Sequence, residues 1–334
     1  MRLWNLLALC LLLAGCGAAA QTGAAPGGAQ AVVTVAMPYI PNVQFAPFYM
    51  AKSKGYYAQA GLDVRFDYQY ETESVQRVAQ RSAQFGMAGG DSVLLARAQG
   101  LPIVTVATNS QRTPTVFFSK AELNIGTPND LKGKRVGIPA RAGASYIGLQ
   151  SMLTATGIDE RELDVREVGF AQVQALTENQ IDAASGYANN EPVLLAKQGV
   201  KVNVLRVADY FALASDGIIA HEQLIAEQPE LVRSFVQATL RGMADVIADP
   251  SGAFAVCLAE IPELSSADAA TQDLQRAVLA ETIPFWQSEQ TAARGLGYTD
   301  AASWRATHSF LRQADLLVAD VDVSRSFTNE FIKK

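Results

Sequence analysis

Residues 38–49 gather amides and aromatic rings around two prolines: Tyr39, Asn42, Gln44, Phe45 and Tyr49 follow or flank Pro38 and Pro41. The segment holds no acid, base or nucleophile. Carboxamides read donors and acceptors alike, and rings offer flat apolar faces. That is chemistry for holding a flat molecule with a polar edge, not for transforming one. Further along, Gly90 and Asp91 sit in a Gly-Gly-Asp-Ser turn where the backbone can approach a bound group, and Asp91 or Ser92 can cap the next helix. Ser145 and Tyr146 open a helix after Gly143, whose free N–H groups suit an anion or a carbonyl. Tyr187, Asn189, Asn190 and Glu191 follow a short strand, and Asp216 begins another.

The residue inventory excludes several classes. There are three cysteines and two histidines. Cys10 lies in the leader described below and Cys16 at its end, so Cys257 alone remains, and it reads as a packed core thiol. No internal disulfide, Cys-based metal site or Cys–His nucleophile can be assembled. His221 and His308 both lie in helical surroundings far from the amide loop. The net charge is −6, one unit more negative without Arg2, and no basic run offers a footprint for nucleic acid. No phosphate loop, GxSxG, HExxH or CxxC pattern is present.

The elements that must position these residues alternate in type. Val32–Ala36 reads as a buried strand, Pro47 as an early helical residue, and a helix runs from Phe48 to about Ala60 before Gly61 stops it. Strand, loop, helix places the amide loop at the carboxyl edge of a sheet, where ligands of open α/β sheets collect. Helices are predicted at 74–84, 93–99, 146–156 and 170–179, with strands at 84–88, 102–107, 116–119, 183–186 and 202–206. The strand at 116–119 is read as leaving the first domain and the one at 215–220 as returning to it. The divisions are therefore 32–119 plus 215–334 for domain I and 120–214 for an inserted domain II, with crossovers near 118–122 and 212–216. The C-terminal third is helical, and Trp286, Trp304 and Tyr298 read as core packing rather than a binding platform.

The first 16 residues are an address. Arg2 precedes the apolar run Leu6–Leu13, which is too short to span a bilayer, since that takes roughly 20 residues. Leu13-Ala14-Gly15-Cys16 resembles a bacterial lipobox, which makes Cys16 the lipid-bearing first mature residue; the alternative is an ordinary signal peptide cut near Ala18–Ala20. Residues 17–31, rich in Gly and Ala, form a tether. About 300 residues remain, enough for two ordinary domains.

The order of lipobox, tether, strand, Pro41-Asn42 loop and Ala51-x-x-x-Gly55-Tyr56-Tyr57-x-x-x-Gly61-Leu62-Asp63-Val64 resembles the NMT1/THI5-like solute-binding proteins of ABC transporters. Asp130-Leu131-Lys132-Gly133-Lys134-Arg135-Val136-Gly137 and Gly186-Tyr187 with Glu191 fit the same family. The resemblance implies two α/β domains of the type II periplasmic-binding-protein fold, joined by two hinge crossovers and closing on a ligand. It implies no cofactor, a monomer, and partnership with an ABC permease and its ATPase. Members bind thiamine-precursor pyrimidines; related branches bind riboflavin, nitrate, alkanesulfonates or taurine. The pyrimidine binders carry Trp before Pro-Asn and Thr-x-His after it, whereas Tyr39-Ile40 and Val43-Gln44-Phe45-Ala46 stand here. More rings and amides fit riboflavin first and a pyrimidine second, and Glu191 and Asp216 oppose an anion. Two other readings follow from the same fold: a pyrimidine-synthesising enzyme, which needs a histidine near the cleft, iron and a cysteine-rich motif, and a lipid-anchored sensor.

Overall fold

The computed structural model describes residues 30–333; the leader and Cys16 lie outside them. Two five-stranded mixed sheets form the two lobes. In lobe I, β1 (Ala31–Met37), β2 (Leu62–Tyr68), β3 (Phe85–Gly89) and β4 (Ile103–Thr108) come from the first part of the chain. Lobe II contains β5 (Thr115–Lys120), β6 (Arg135–Ile138), β7 (Asp164–Glu167), β8 (Ala183–Tyr187) and β9 (Val202–Arg206). β10 (Asp216–His221) returns to lobe I. The orders are β2-β1-β3-β10-β4 and β7-β6-β8-β5-β9.

β1, β2 and β3 pair in parallel, as do β7, β6 and β8, which requires the covering helices that follow each strand. β10 and β5 are the antiparallel members, each held between two neighbours of its sheet. Because β5 finds both partners, β8 and β9, in lobe II, it belongs there. The first crossover therefore runs through 109–114, not 118–122, and the expected assignment of 116–119 to domain I is corrected. The chain returns to lobe I between β9 and β10.

The segment after β1 differs from a single helix. Asn42 opens a short 3-10 turn (Val43–Phe45), α1 covers Ala46–Ser53, and Gly55 at φ 71 breaks the rod before α2 (Tyr56–Gln59). Only glycine takes that backbone without strain, and Gly61 at φ 75 repeats the device at the far end. Helix α3 (Glu71–Ala79) starts three residues earlier than its sequence pattern and α4 (Gly90–Ala98) also starts early. In lobe II, α5 (Gly143–Thr156), α6 (Gln172–Thr177) and α7 (Glu191–Lys197) follow β6, β7 and β8.

Behind α1 lies the largest apolar cluster, in which the long helix Pro229–Ala248 buries Val232, Phe235, Val236 and Met243 against Phe48, Tyr57 and Phe85. Phe235 stacks on Phe85 at 4.0 Å and on Tyr57 at 5.4 Å between centroids. Cys257 is buried in this cluster, and burial pushes its thiol up to about 12, so it stays protonated. Trp304 is buried against α4 and Phe327, as its helical spacing implied. No helix among the described residues is long and apolar enough to cross a membrane.

Candidate functional site

A cavity of about 470 Å³ lies between the lobes, at the carboxyl ends of β1 and β3 on one side and of β6 and β8 on the other. That volume falls within the range of ligand pockets, about 300–1,000 Å³. Its rings are Tyr39, Phe45 and Tyr70 from lobe I, Phe170 and Tyr187 from lobe II, and Phe285 with Trp286 from the C-terminal segment. Its amides are Gln44, Asn109, Gln172, Asn189 and Asn190. Among the described residues lining it, the charged ones are Glu71, Glu167, Glu191 and Asp216, and none is basic.

Of the expected site residues, Tyr39, Gln44, Phe45, Ser145, Tyr187, Asn190, Glu191 and Asp216 line the cavity. Five do not. Asn42 is buried and spends its carboxamide locally, its oxygen accepting from Gln44 N–H at 3.0 Å as the cap of the 3-10 turn. It shapes the loop that presents Gln44 and Phe45. Tyr49 points into the core because α1 turns it away from the loop, and its hydroxyl lies 2.8 Å from that of Tyr68. Gly90 is a packing position where a Cβ would lie 2.5 Å from that of Ala214, and Gly89, one residue earlier, lines the cavity instead. Asp91 lies in the first turn of α4, where Gly89 holds the cap position that the sequence gave to Asp91 or Ser92, and it faces a small recess behind the cavity. Tyr146 packs away from the cavity, its hydroxyl donating to Glu160 Oε2 at 2.9 Å.

The lobes touch across the cavity mouth. Tyr70 stacks on Phe170 at 4.6 Å between centroids, and Tyr39 meets the same ring edge-on at 4.7 Å. Such pairs contribute about 0.5–1.5 kcal/mol each beyond area burial. Deeper in, Asn189 Nδ2 donates to Gln44 Oε1 at 3.4 Å and to Thr282 Oγ1 at 2.7 Å, tying lobe II to the C-terminal segment. Tyr70, Glu71 and Phe170 line the cavity and were missed by the sequence pattern, because the predicted helices began at 74 and 170. The true α3 begins at Glu71, and α6 begins only at Gln172, which leaves Phe170 free to face the cleft. Trp286 is core by burial, as expected, yet also walls the cavity.

The electrostatics at the cavity floor are acidic. Burial, then the charge of Glu71, raises the Asp91 carboxyl well above the usual carboxylate range. Asp91 is 3% exposed and its Oδ2 has no hydrogen-bond partner. The Tyr187 hydroxyl is pushed far up, first by burial and then by Asp216, Glu71, Asp91 and Glu191, so it remains a donor. Glu191 is raised by burial, opposed by the Tyr187 N–H that donates to its Oε2 at 2.8 Å. Asp216 accepts from Asn109 Nδ2 at 3.0 Å.

Asp91 yields a pH prediction. Native Asp91 keeps a proton that the unfolded chain loses near pH 4, so this residue's contribution to stability falls as pH rises from there through its folded pKa. Asp91→Asn removes the titration. Its melting temperature should pull ahead of the parent's as pH rises over that interval and then hold, by roughly 1–3 kcal/mol at the plateau. Parallel curves for the two proteins would show that Asp91 is not held protonated.

Among the described residues, no group of His, Cys, Asp and Glu side chains is arranged to hold a metal ion. Two α/β lobes with a ring-and-amide cavity at their strand ends define a clamp-type ligand-binding protein. The NMT1/THI5-like family profile matches residues 42–253, and the chain belongs to that family. It is 50% identical over 321 residues to the riboflavin-binding protein RibY of Chloroflexus aurantiacus, covering 94% of this chain and 91% of that one. It is 28% identical to a formylaminopyrimidine-binding protein of Halalkalibacterium halodurans, over 97% of both chains. Among solved structures, the alkanesulfonate-binding protein of Xanthomonas axonopodis pv. citri, bound to MOPS, superposes with a TM-score of 0.70 at 16% identity, covering 91% of this chain and 99% of that one. At that identity the likeness establishes the fold alone: the chain has the two-lobed periplasmic-binding-protein fold.

Proposed function

We propose that this chain is the solute-binding component of an ABC importer that captures riboflavin by closing two lobes on it and delivers it to a membrane permease served by a separate ATPase. The observation that carries the reading is the cavity wall: rings from both lobes, amides between them, and no basic side chain among the described lining residues. An isoalloxazine is flat, uncharged and edged with donors and acceptors. Rings stack on its faces, and Gln44, Asn109, Asn189 and Asn190 match either sense of hydrogen bond at its rim. The 50% identity to a riboflavin-binding protein supports the same ligand. Tyr39, Gln44, Phe45, Ser145, Tyr187, Asn190, Glu191 and Asp216 are the proposed contacts. A ligand touching both lobes favours the closed arrangement by the contacts it cannot make when they part.

Transformation of the ligand is not part of this reading. A pyrimidine synthase of this fold needs a histidine near the cleft, and neither His221 nor His308 lines the cavity. Cys257 is buried elsewhere, in the core behind α1. Export and lipid attachment through Cys16 complete the proposal and hold the domain at the outer side of the cell membrane as a monomer.

The relative that binds formylaminopyrimidine, at 28% identity, favours a second reading in which a thiamine-precursor pyrimidine fills the same cavity. One titration separates the two. Protein stripped of ligand by denaturation and refolding is expected to quench riboflavin fluorescence stoichiometrically, and formylaminopyrimidine is expected not to displace the flavin. Calorimetric heat from the pyrimidine with none from riboflavin would reverse the assignment.

A further inference from the structure

Glu71 stands where the lobes meet. Its Oε1 accepts from Gly89 N–H of lobe I at 2.8 Å, and its Oε2 accepts from Ala144 N–H of lobe II at 3.1 Å. Ala144 lies in the first turn of α5, a 14-residue helix whose cap residue, Ala142, supplies no side-chain acceptor. The start of such a helix carries unpaired N–H groups and partial positive charge, so inside a ligand cleft it is a natural seat for an anion. Here the chain fills that seat with its own carboxylate. Gly143, at φ +70, keeps the space clear, since a Cβ there would lie 3.1 Å from Glu71 Oε2.

An independent observation points the same way. Among the described residues lining the cavity none is basic, and Asp91, directly behind the Gly89 whose amide Glu71 holds, keeps its proton and supplies no positive charge either. Glu191 and Asp216 line the same cavity. An anionic substituent entering this cleft would meet the carboxylates of Glu191 and Asp216 without a compensating cation, and the positive start of α5 is already neutralised. Like charges brought together out of water cost several kcal/mol.

We propose that Glu71 is a specificity-determining residue that makes the cleft refuse anionic ligands by acting as the built-in counter-ion of α5. Resting on the riboflavin reading, this means that a flavin with a free side-chain alcohol is accepted and the same flavin carrying a phosphate ester is rejected. A carboxylate delivered from the other lobe thus cancels a helix end that would otherwise recruit an anion.

The test titrates the parent protein, Glu71→Ala, Glu71→Gln and the exposed control Glu73→Ala with riboflavin and with flavin mononucleotide. Thermal unfolding of the same four proteins with and without sulfate gives a readout independent of flavin. The parent is expected to bind the phosphate ester at least roughly hundred-fold more weakly than riboflavin. Glu71→Ala should narrow that ratio by roughly ten-fold, a helix-end interaction in a partly buried setting, with Glu71→Gln between and Glu73→Ala unchanged. Sulfate should raise the melting temperature of Glu71→Ala beyond the general salt effect seen in the parent and in Glu73→Ala. An unchanged ratio together with no extra sulfate stabilisation, in either Glu71 variant that folds, overturns the proposal. If the parent binds no flavin while Glu71→Ala still gains sulfate stabilisation, the ligand assignment fails and the counter-ion role stands.

Discussion

Replacing Tyr187 by alanine is expected to weaken riboflavin binding by roughly thirty- to hundred-fold, the loss of about 2–3 kcal/mol that a buried aromatic anchor typically carries. Tyr187 ends β8, and its ring lines both the main cavity and the recess behind it, so it forms part of the floor on which a flat ligand would rest. Its backbone N–H is held by Glu191 Oε2, which fixes the turn independently of the side chain. Truncation should therefore remove a wall without moving the loop. Tyr187→Phe separates the two parts of the side chain. The hydroxyl stays protonated, pushed up by burial and then by the nearby acids Asp216, Glu71, Asp91 and Glu191. If the ring carries the energy, Phe retains most of the affinity; if the hydroxyl donates to the ligand, Phe loses about ten-fold or more. Fluorescence titration reads both, and an alanine variant with parental affinity removes Tyr187 from the site.

The second large effect is on stability and reaches the site indirectly. Gly242 sits on the helix Pro229–Ala248 where it crosses α1, and a Cβ there would run into the Pro47 carbonyl oxygen and lie 2.8 Å from Ala51 N. Both obstacles are backbone, so no side chain can swing aside. Gly242→Ala gains about 1 kcal/mol of helix propensity, but overpacking costs about 1–3 kcal/mol and more where backbone must move. The net expectation is a loss of about 2 kcal/mol in chemical denaturation. Since α1 is continuous with the turn that presents Gln44 and Phe45, ligand affinity should fall with it. Gly100→Ala makes a useful contrast: it has φ +83 with nothing within 4 Å of its Cβ, so any loss there is backbone strain alone, with binding intact. A Gly242→Ala protein as stable as the parent would show that the two helices slide apart without cost.

The local statements were the ones the sequence settled. The strand at Val32–Ala36, the turn at Pro41-Asn42 and helical chain stopped by Gly61 are determined by side-chain pattern, proline and glycine, interactions within a turn or two of chain, although the break at Gly55 that splits one expected helix in two was not. The same holds for the α/β class and for a cleft lined by rings and amides. Direction was another matter. Asn42 has the chemistry of a ligand contact, yet its own following N–H is nearer, so it caps the turn. Tyr49 and Tyr146 are each a helical position whose facing depends on what packs against the helix: Tyr68 for one and Glu160 for the other. Tyr70, Glu71 and Phe170 line the cavity because segments distant in sequence meet when the lobes do. Composition and spacing thus determined that rings and amides would wall the cleft. Which side chains hold it was decided by long-range packing, because a ring or a carboxylate takes its role from the partner that reaches it, and that partner lies elsewhere in the chain.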